Sequence, residues 1–230
     1  MDKKLGITRR EAVGGGILTA AGIVLAGADT AKADCGTCKK KKVAMPKNED
    51  FYKDGKFLPE KAREAFFEMF ARFHYPNPKP QQELMWVHDF GMGDFVHAGM
   101  GGVFWLNDKE NNYFGHEIYL LPGQQIPEHK HVKTKDAVAK IESWHVRHGM
   151  VYCLGEGEET KPMPIKLPKS QEKFRTVKHA HRVLPGEVYA LNRAEAFHFM
   201  IAGPEGGIAS EYATYHDNAG LRFANPKVKF

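Results

Sequence analysis

Residues 123–149 read GQQIPEHKHVKTKDAVAKIESWHVRHG and carry the strongest indication of how the chain folds. One residue separates His129 from His131, so on an extended strand both side chains lie on the same face. Glycines at both ends of the stretch permit turns at the strand ends. Glu142 returns on the next strand. The pattern therefore predicts two strands that direct two imidazoles and a carboxylate into one interior.

Short apolar runs separated by glycine, proline, asparagine and aspartate fill the chain beyond residue 84. The runs are 85–87, 102–106, 117–121, 149–154, 182–184, 187–191, 197–202 and 208–213. Strands at this regular spacing are typical of β-sandwiches and β-barrels. Segment 161–173 contains three prolines and is predicted to be an exposed connector. The sequence therefore predicts an all-β domain.

One further histidine completes a candidate metal site. His198 lies in an otherwise apolar strand, just before a Gly-Pro turn. Such a histidine is more often a core residue, but here it supplies the ligand that the first three residues lack. The predicted ligands are His129, His131, Glu142 and His198. Three imidazoles and a carboxylate suit Mn²⁺, Fe²⁺, Co²⁺, Ni²⁺ or Zn²⁺ alike. The pair His179 and His181 has no carboxylate at a useful offset and is predicted to serve packing or the surface.

The spacing around the first two histidines resembles the first motif of the cupin family, Gly-x5-His-x-His-x(3,4)-Glu-x6-Gly. One interval departs from it, because ten residues, 132–141, separate His131 from Glu142. Lengthening a loop costs little free energy, so the insertion is compatible with the site. The resemblance implies a cupin jelly-roll β-barrel. Apolar residues at helical spacing over 58–74 predict one amphipathic helix in front of it.

Over residues 89–228 the chain resembles the cupin-type D-lyxose ketol-isomerases, a family of D-lyxose/D-mannose sugar isomerases. The matching segments are 89–95, 121–124 leading to 127–131, 147–152, and His198 followed by 202–206 and 210–211. The long interval between His131 and Glu142 also resembles this family. The resemblance implies that the four ligands hold Mn²⁺ and that the enzyme interconverts an aldose and its 2-ketose, such as D-lyxose/D-xylulose or D-mannose/D-fructose.

An aldose–ketose shift moves a proton between C1 and C2, which requires a base beside the metal. Glu211 is the first candidate, and a rim carboxylate paired with a lysine is the alternative interpretation. Glu117 is the second candidate, next to His116, at a point where relatives tend to place a lysine. Arg147 and Glu128 are candidates for binding sugar hydroxyls, although strand alternation points Arg147 outward unless a bulge intervenes.

Residues 1–33 are predicted to be an export signal. A basic start, the pair Arg9-Arg10 and the mildly apolar stretch 13–28 resemble a twin-arginine signal, and 31–33 offer a small-x-small cleavage site. The apolar stretch is shorter than a membrane-spanning helix needs. We expect a mature protein without a stable membrane anchor, located in the periplasm or another extracytoplasmic space; a retained anchor is the alternative. Sugar phosphates are largely cytoplasmic, so an exported isomerase is expected to act on free sugars.

The remaining chain divides into a basic tether (34–50), a helical segment (51–83) and the cupin barrel (84–230). The net charge of +5 falls to about +3 without the five basic and three acidic residues of the signal. Much of the rest is Lys39–Lys42, which reads as a solvated linker and not as a nucleic-acid surface. Cys35 and Cys38 are expected to form a local disulfide, and Cys153 to be a buried strand residue.

Two other function classes share these ligands. An Fe²⁺-dependent cupin dioxygenase would consume oxygen with a phenolic or thiol substrate, and a non-catalytic cupin would bind a sugar or a metal without turnover. The departure from the family's lysine keeps the non-catalytic class open. Cupins often pair, so a homodimer is expected on that ground alone.

Overall fold

The computed structural model describes residues 46–230 of the chain. The predicted signal, both of its flanking cysteines and most of the tether therefore lie outside the described residues. Within these residues the helices are two 3-10 helices, Asn48–Phe51 and Asn218–Gly220, and three α-helices, α1 (Pro59–Phe73), α2 (Lys79–Leu84) and α3 (Lys169–Glu172). The strands are β1 (Tyr52–Lys53), β2 (Lys56–Phe57), β3 (Trp86–His88), β4 (Met100–Asp108), β5 (Tyr113–Leu120), β6 (His129–His131), β7 (Glu142–Gly155), β8 (His179–Val183), β9 (Val188–Ala190), β10 (Phe199–Ala213) and β11 (Leu221–Phe223).

Seven of these strands form one antiparallel sheet. Its order is β3-β4-β5-β10-β7-β8, and β9 pairs with the other end of β7. Strands β6 and β11 form a second, two-stranded sheet, and β1 and β2 form a third. The predicted all-β cupin class is confirmed by this architecture.

The long strand β10 positions the site, because it lies between β5 and β7. The sequence predicted a Gly-Pro turn after His198 and a strand end at Gly149, and both expectations are wrong. β10 and β7 run on through these points, with a register shift between Ala202 and Gly207. Gly149 has φ +70°, and a Cβ there would lie 2.1 Å from the Gly206 carbonyl oxygen. A glycine is required because the two backbones approach too closely for any side chain.

Helix α1 covers the outer face of the sheet, as its apolar spacing predicted. Ala62, Phe66, Met69 and Phe70 are buried on one side of the helix. They pack with Val103, Tyr119 and Ile208 from three neighbouring strands. A second cluster, which includes Trp144 and Met200, lies on the inner face. The two faces of one sheet therefore have separate cores.

The structure also describes Cys153 and segment 161–173. Cys153 is a buried residue of β7, as predicted. Segment 161–173 contains only the short helix α3, and its residues Met163, Ile165 and Leu167 pack against a small cluster that includes Phe199. Among the described residues, no helix combines the length and the apolar character that crossing a membrane requires.

Candidate metal centre and active-site pocket

Four strand ends bring the predicted ligands together. His129 and His131 are the first and last residues of β6, Glu142 begins β7, and His198 directly precedes β10. His129 and His198 exchange two backbone hydrogen bonds of 2.9 Å, which hold the two segments side by side. One ligand atom from each of the four residues lies within 4.8 Å of every other. The sequence spacing therefore forms one compact cluster.

Backbone carbonyls fix the orientation of two imidazoles. His129 Nδ1 lies 2.9 Å from the Pro127 oxygen, and His198 Nδ1 lies 2.9 Å from the Ala196 oxygen. Because a carbonyl can only accept, each Nδ1 carries the proton, and each Nε2 presents a lone pair to the centre. Such outer hydrogen bonds are the usual support of metal-binding histidines.

The cluster has the electrostatics of a cation site. His198 Nε2 lies 2.9 Å from Glu142 Oε1, and both atoms are acceptors that find no hydrogen-bond partner within residues 46–230. Two lone pairs at this distance repel each other unless a cation lies between them. Burial, followed by the neighbouring histidines, lowers the pKa of His129 well below its ordinary value. Neutral imidazoles and a carboxylate fit a divalent transition-metal ion.

A lysine that the sequence reasoning missed extends the cluster. Lys140 is buried, and its Nζ lies 2.9 Å from Glu142 Oε2 and forms a second ion pair with Glu211. Glu211 Oε2 in turn lies 3.0 Å from His116 Nδ1. Burial disfavours the charged form of Lys140, but the two carboxylates outweigh it and raise its pKa. Burial also opposes ionisation of Glu142, yet Lys140 and the histidines hold its pKa well below the ordinary value.

These groups line one pocket with largely apolar walls. The aromatic wall residues are Trp86, Phe90, Phe104, Phe114, Trp144, Phe223 and Phe230. Lys140, Glu142, Glu211 and His116 all border this space, together with the three ligand histidines. A further histidine, His216, lies in the wall, where burial and then the charge of Lys140 lower its pKa to about 4. Ionised and polar groups are thus concentrated beside the metal cluster.

Curated relatives match most of the chain. It is 32% identical over 167 residues to the D-lyxose/D-mannose isomerase of Thermosediminibacter oceani, covering 73% of this chain and 91% of that protein. The chain belongs to the D-lyxose/D-mannose isomerase family. A D-lyxose ketol-isomerase of Cohnella laeviribosi is 31% identical over 168 residues, with 73% and 91% of the two chains covered. No protein-family model matches the chain.

Solved structures share the fold of this sugar isomerase family member. The L-ribose isomerase of Cellulomonas parahominis, with no ligand, superimposes with a TM-score of 0.55 at 13% identity, covering 73% of this chain and 91% of that one. The L-ribose isomerase of Acinetobacter sp. DL28, in complex with L-ribose, gives a TM-score of 0.54 at 16% identity, covering 74% and 91%. Family membership and the ligand cluster together support a metal-dependent aldose–ketose isomerase.

The structure separates the other predicted site residues of this isomerase into two groups. Glu211 and His116 line the pocket, whereas Glu117, Arg147 and Glu128 do not. Glu117 lies on the outer face of the sheet, where Ser210 Oγ donates to it at 2.6 Å and the Tyr75 hydroxyl at 3.3 Å. Glu117, the predicted second candidate base, therefore faces away from the metal cluster. It follows His116 directly on β5, and neighbouring residues of a strand point to opposite faces of the sheet.

The two candidates for sugar binding also lie elsewhere. Arg147 is exposed, as strand alternation predicted, and its guanidinium contacts His145 Nδ1 at 3.3 Å. Glu128 is buried but faces away from the pocket, where the Thr176 backbone N–H donates to its carboxylate at 2.9 Å. Glu128 thus fastens the segment around Thr176 to the start of β6. Neither residue reaches the space beside the metal ligands.

The sequence does contain a simple signal for Lys140, although the prediction overlooked it. Lys140 is two residues before Glu142, so an extended chain places both side chains on the same side. The ten-residue interval between His131 and Glu142 thus carries a buried cationic side chain into the site.

Proposed function

We propose that this enzyme interconverts a free aldose and its 2-ketose, with D-lyxose/D-xylulose and D-mannose/D-fructose as the expected pairs and Mn²⁺ as the expected ion. The observation that carries the proposal is the ion-pair chain that joins Glu211 through Lys140 to Glu142, one of the four clustered ligand residues. The named curated relatives support the choice of sugars. Family resemblance alone favours Mn²⁺, because the ligand types suit several divalent ions.

The residues around the pocket can be assigned roles in proton transfer. A divalent ion at the four ligands would polarise the O1 and O2 oxygens of the open-chain sugar. Glu211 then takes the proton from C2 and returns it to C1, so that a cis-enediol forms and collapses to the ketose. His116 orients the Glu211 carboxylate through the 3.0 Å contact between Nδ1 and Oε2.

Lys140 completes the proton balance. As the aldose becomes an enediol, the carbonyl oxygen O1 gains a proton, and the O2 hydroxyl loses one when the ketose forms. The Lys140 ammonium donates to O1 and recovers a proton from O2. Its two carboxylate partners keep the amine protonated between turnovers, because their negative charge favours the ammonium.

The test is an isomerase assay of the purified protein, stripped with a chelator and reloaded with Mn²⁺. We expect metal-dependent conversion of at least one of D-lyxose, D-mannose, D-xylulose and D-fructose. No turnover with metal bound would contradict the proposal. Oxygen consumption with a phenolic or thiol substrate would then indicate the dioxygenase class, and sugar binding without turnover the non-catalytic class.

The ligand assignment has its own control. Glu142→Ala should lose bound metal and activity together, whereas Glu205→Ala, at an exposed position of β10, should retain both. Metal content measured by atomic emission after dialysis decides between the outcomes. A Glu142→Ala variant with full metal content would contradict the assignment of the site.

We also propose that the enzyme is exported by the twin-arginine route and acts outside the cytoplasm. The paired arginines near the start of the chain and the small-x-small sequence at 31–33 support this. Replacing Arg9 and Arg10 with lysines should leave the protein in the cytoplasm of a host that has this route. Equal export of both forms, measured by cell fractionation, would contradict it. A homodimer, expected because cupins often pair, is tested by light scattering.

A further inference from the structure

His216 is a pocket residue to which the proposed chemistry gives no role. It lies between β10 and the 3-10 helix Asn218–Gly220 and is 9% exposed. The Asn107 side chain holds its backbone on both sides: Asn107 Nδ2 donates to the His216 oxygen at 3.0 Å, and the His216 N–H donates to Asn107 Oδ1 at 2.9 Å. The backbone of His216 is therefore fixed on strand β4.

Packing fixes the ring as well. The imidazole stacks on Phe114 with centroids 5.3 Å apart and planes at 22°, and it lies 5.5 Å from the Phe104 ring. Both phenylalanines belong to the pocket wall. The ring is thus held in one plane by aromatic neighbours, at 5.5 Å from the ring of the ligand His131.

The two ring nitrogens of His216 have different surroundings. Nε2 lies 2.7 Å from Asn218 Oδ1, which can only accept, so Nε2 carries the proton. Nδ1 then has a lone pair, is buried, and has no partner among the described residues. Asn218 is not a pocket residue, and the two nitrogens of an imidazole point in nearly opposite directions, so Nδ1 is the edge available to a molecule in the pocket.

We propose that His216 Nδ1 is a hydrogen-bond acceptor for a sugar hydroxyl beyond the reacting C1–C2 pair, and that it determines which sugars bind. A sugar hydroxyl that donates to Nδ1 gives this buried acceptor a partner that the described residues do not supply. Substrates that lack this hydroxyl leave Nδ1 unpaired and are rejected. This inference rests on the proposed function, since it takes an open-chain sugar as the ligand.

The first experiment measures binding in the absence of turnover. D-Arabitol, the pentitol that corresponds to D-lyxose, has every hydroxyl of the open-chain sugar but no carbonyl. Titration calorimetry of the Mn²⁺-loaded full-length protein should give a Kd about 10-fold weaker for His216→Phe than for the wild type. His181→Phe, the same change at a ring stacked on Tyr189 outside the pocket, should leave the Kd unchanged. Equal affinity in the wild type and His216→Phe would overturn the inference.

Deoxy sugars identify the hydroxyl. Against analogues that lack the hydroxyl at C3, C4 or C5, wild-type kcat/KM should fall about 10- to 100-fold more for one position than for the others. In His216→Phe this selective loss should shrink to about threefold or less. An undiminished selectivity in the variant would contradict the assignment. A parallel fall of metal content in His216→Phe would overturn it too, by showing that the ring supports His131 instead.

A second variant guards against a misfolded His216→Phe. Asn218→Leu removes the acceptor of Nε2, so the ring loses the contact that keeps the lone pair on Nδ1. Binding of D-arabitol should weaken about threefold or more, with metal content unchanged. Wild-type affinity in Asn218→Leu would contradict the inference. Because the pentitol binds without turnover, a failure here is distinguishable from a wild-type protein that isomerises no sugar.

Discussion

Glu117 and Glu211 lie on neighbouring strands of one sheet, yet their surroundings are opposite. In the register of β5 and β10, Glu211 pairs with His116 and Ser210 pairs with Glu117. Glu211 reaches the inner face, where it contacts Lys140 and His116 in the pocket. Glu117 reaches the outer face, where Tyr75 and Ser210 are its partners. A shift of one residue along a strand thus separates a candidate catalytic base from a structural carboxylate.

The two faces of the sheet formed by β5 and β10 have different roles. On the inner face, buried charges of opposite sign compensate each other beside the metal ligands, as the proposed proton transfer requires. On the outer face, helix α1 covers the sheet with aromatic side chains, and burial together with the Glu117 carboxylate raises the pKa of Tyr75 to about 12. Changes on the inner face should therefore affect chemistry and stability, and changes on the outer face mainly stability.

The largest effect is expected at Lys140. Lys140→Met leaves Glu142 and Glu211 buried without their shared cation, so the free energy of unfolding should fall by about 3–5 kcal/mol. Urea denaturation of the metal-free protein, with EDTA present, measures this. Lys135→Met, in the same loop but exposed, is the matched control and should change little. Equal stability of the two variants would show that the inner-face charges are not coupled.

A smaller effect should appear in the pH dependence of the metal-free protein. Burial lowers the pKa values of the inner-face residues His129, His131 and His216 below the value of about 6.5 that holds for unfolded histidine. Below that pH the unfolded chain binds protons that the folded protein does not, so stability falls as the pH falls. His216→Phe removes one such group and should reduce the loss between about pH 7.5 and pH 5 by about 2 kcal/mol. Denaturation with EDTA present measures it, and an unchanged loss would contradict the shifted pKa.

The smallest effect is expected on the outer face. Glu117→Gln keeps an oxygen that can accept from Ser210, so the free energy of unfolding should fall by about 1 kcal/mol or less. Its kcat should stay within about threefold of the wild type, because the residue does not border the pocket. A loss of kcat without a loss of stability would mean that the outer carboxylate takes part in the chemistry.

Local patterns predicted the parts of the site that lie on regular elements. The pair His129/His131, the return at Glu142 and the helix over 58–74 follow from strand and helix periodicity, and the structure places all of them as the sequence indicated. His198 could be predicted only as the fourth member of a ligand set, because its apolar surroundings alone indicate a core residue.

Two features of the site could not be predicted from the sequence: the face of the sheet that a side chain reaches, and the contacts between distant segments. Glu117 was a candidate because it lies on the strand that enters the histidine motif, but the register that turns it outward becomes visible only in the paired strands. Lys140 lies in an interval that reads as a mere insertion, and its role depends on how β7 begins. His216 follows β10 on an irregular segment, where neither helix nor strand periodicity predicts the direction of a side chain.

Proton exchange at C2 of the sugar tests directly whether Glu211 is the catalytic base. In D₂O, Mn²⁺-loaded wild-type protein should exchange the C2 hydrogen of D-lyxose or D-mannose during turnover, measured by NMR. Glu211→Gln should retain its metal but lose about 10²- to 10⁴-fold in the rates of both exchange and isomerisation, since the amide cannot act as a base. Exchange at the wild-type rate in Glu211→Gln, or its loss in Glu117→Gln, would contradict the assignment of the catalytic base to the inner face.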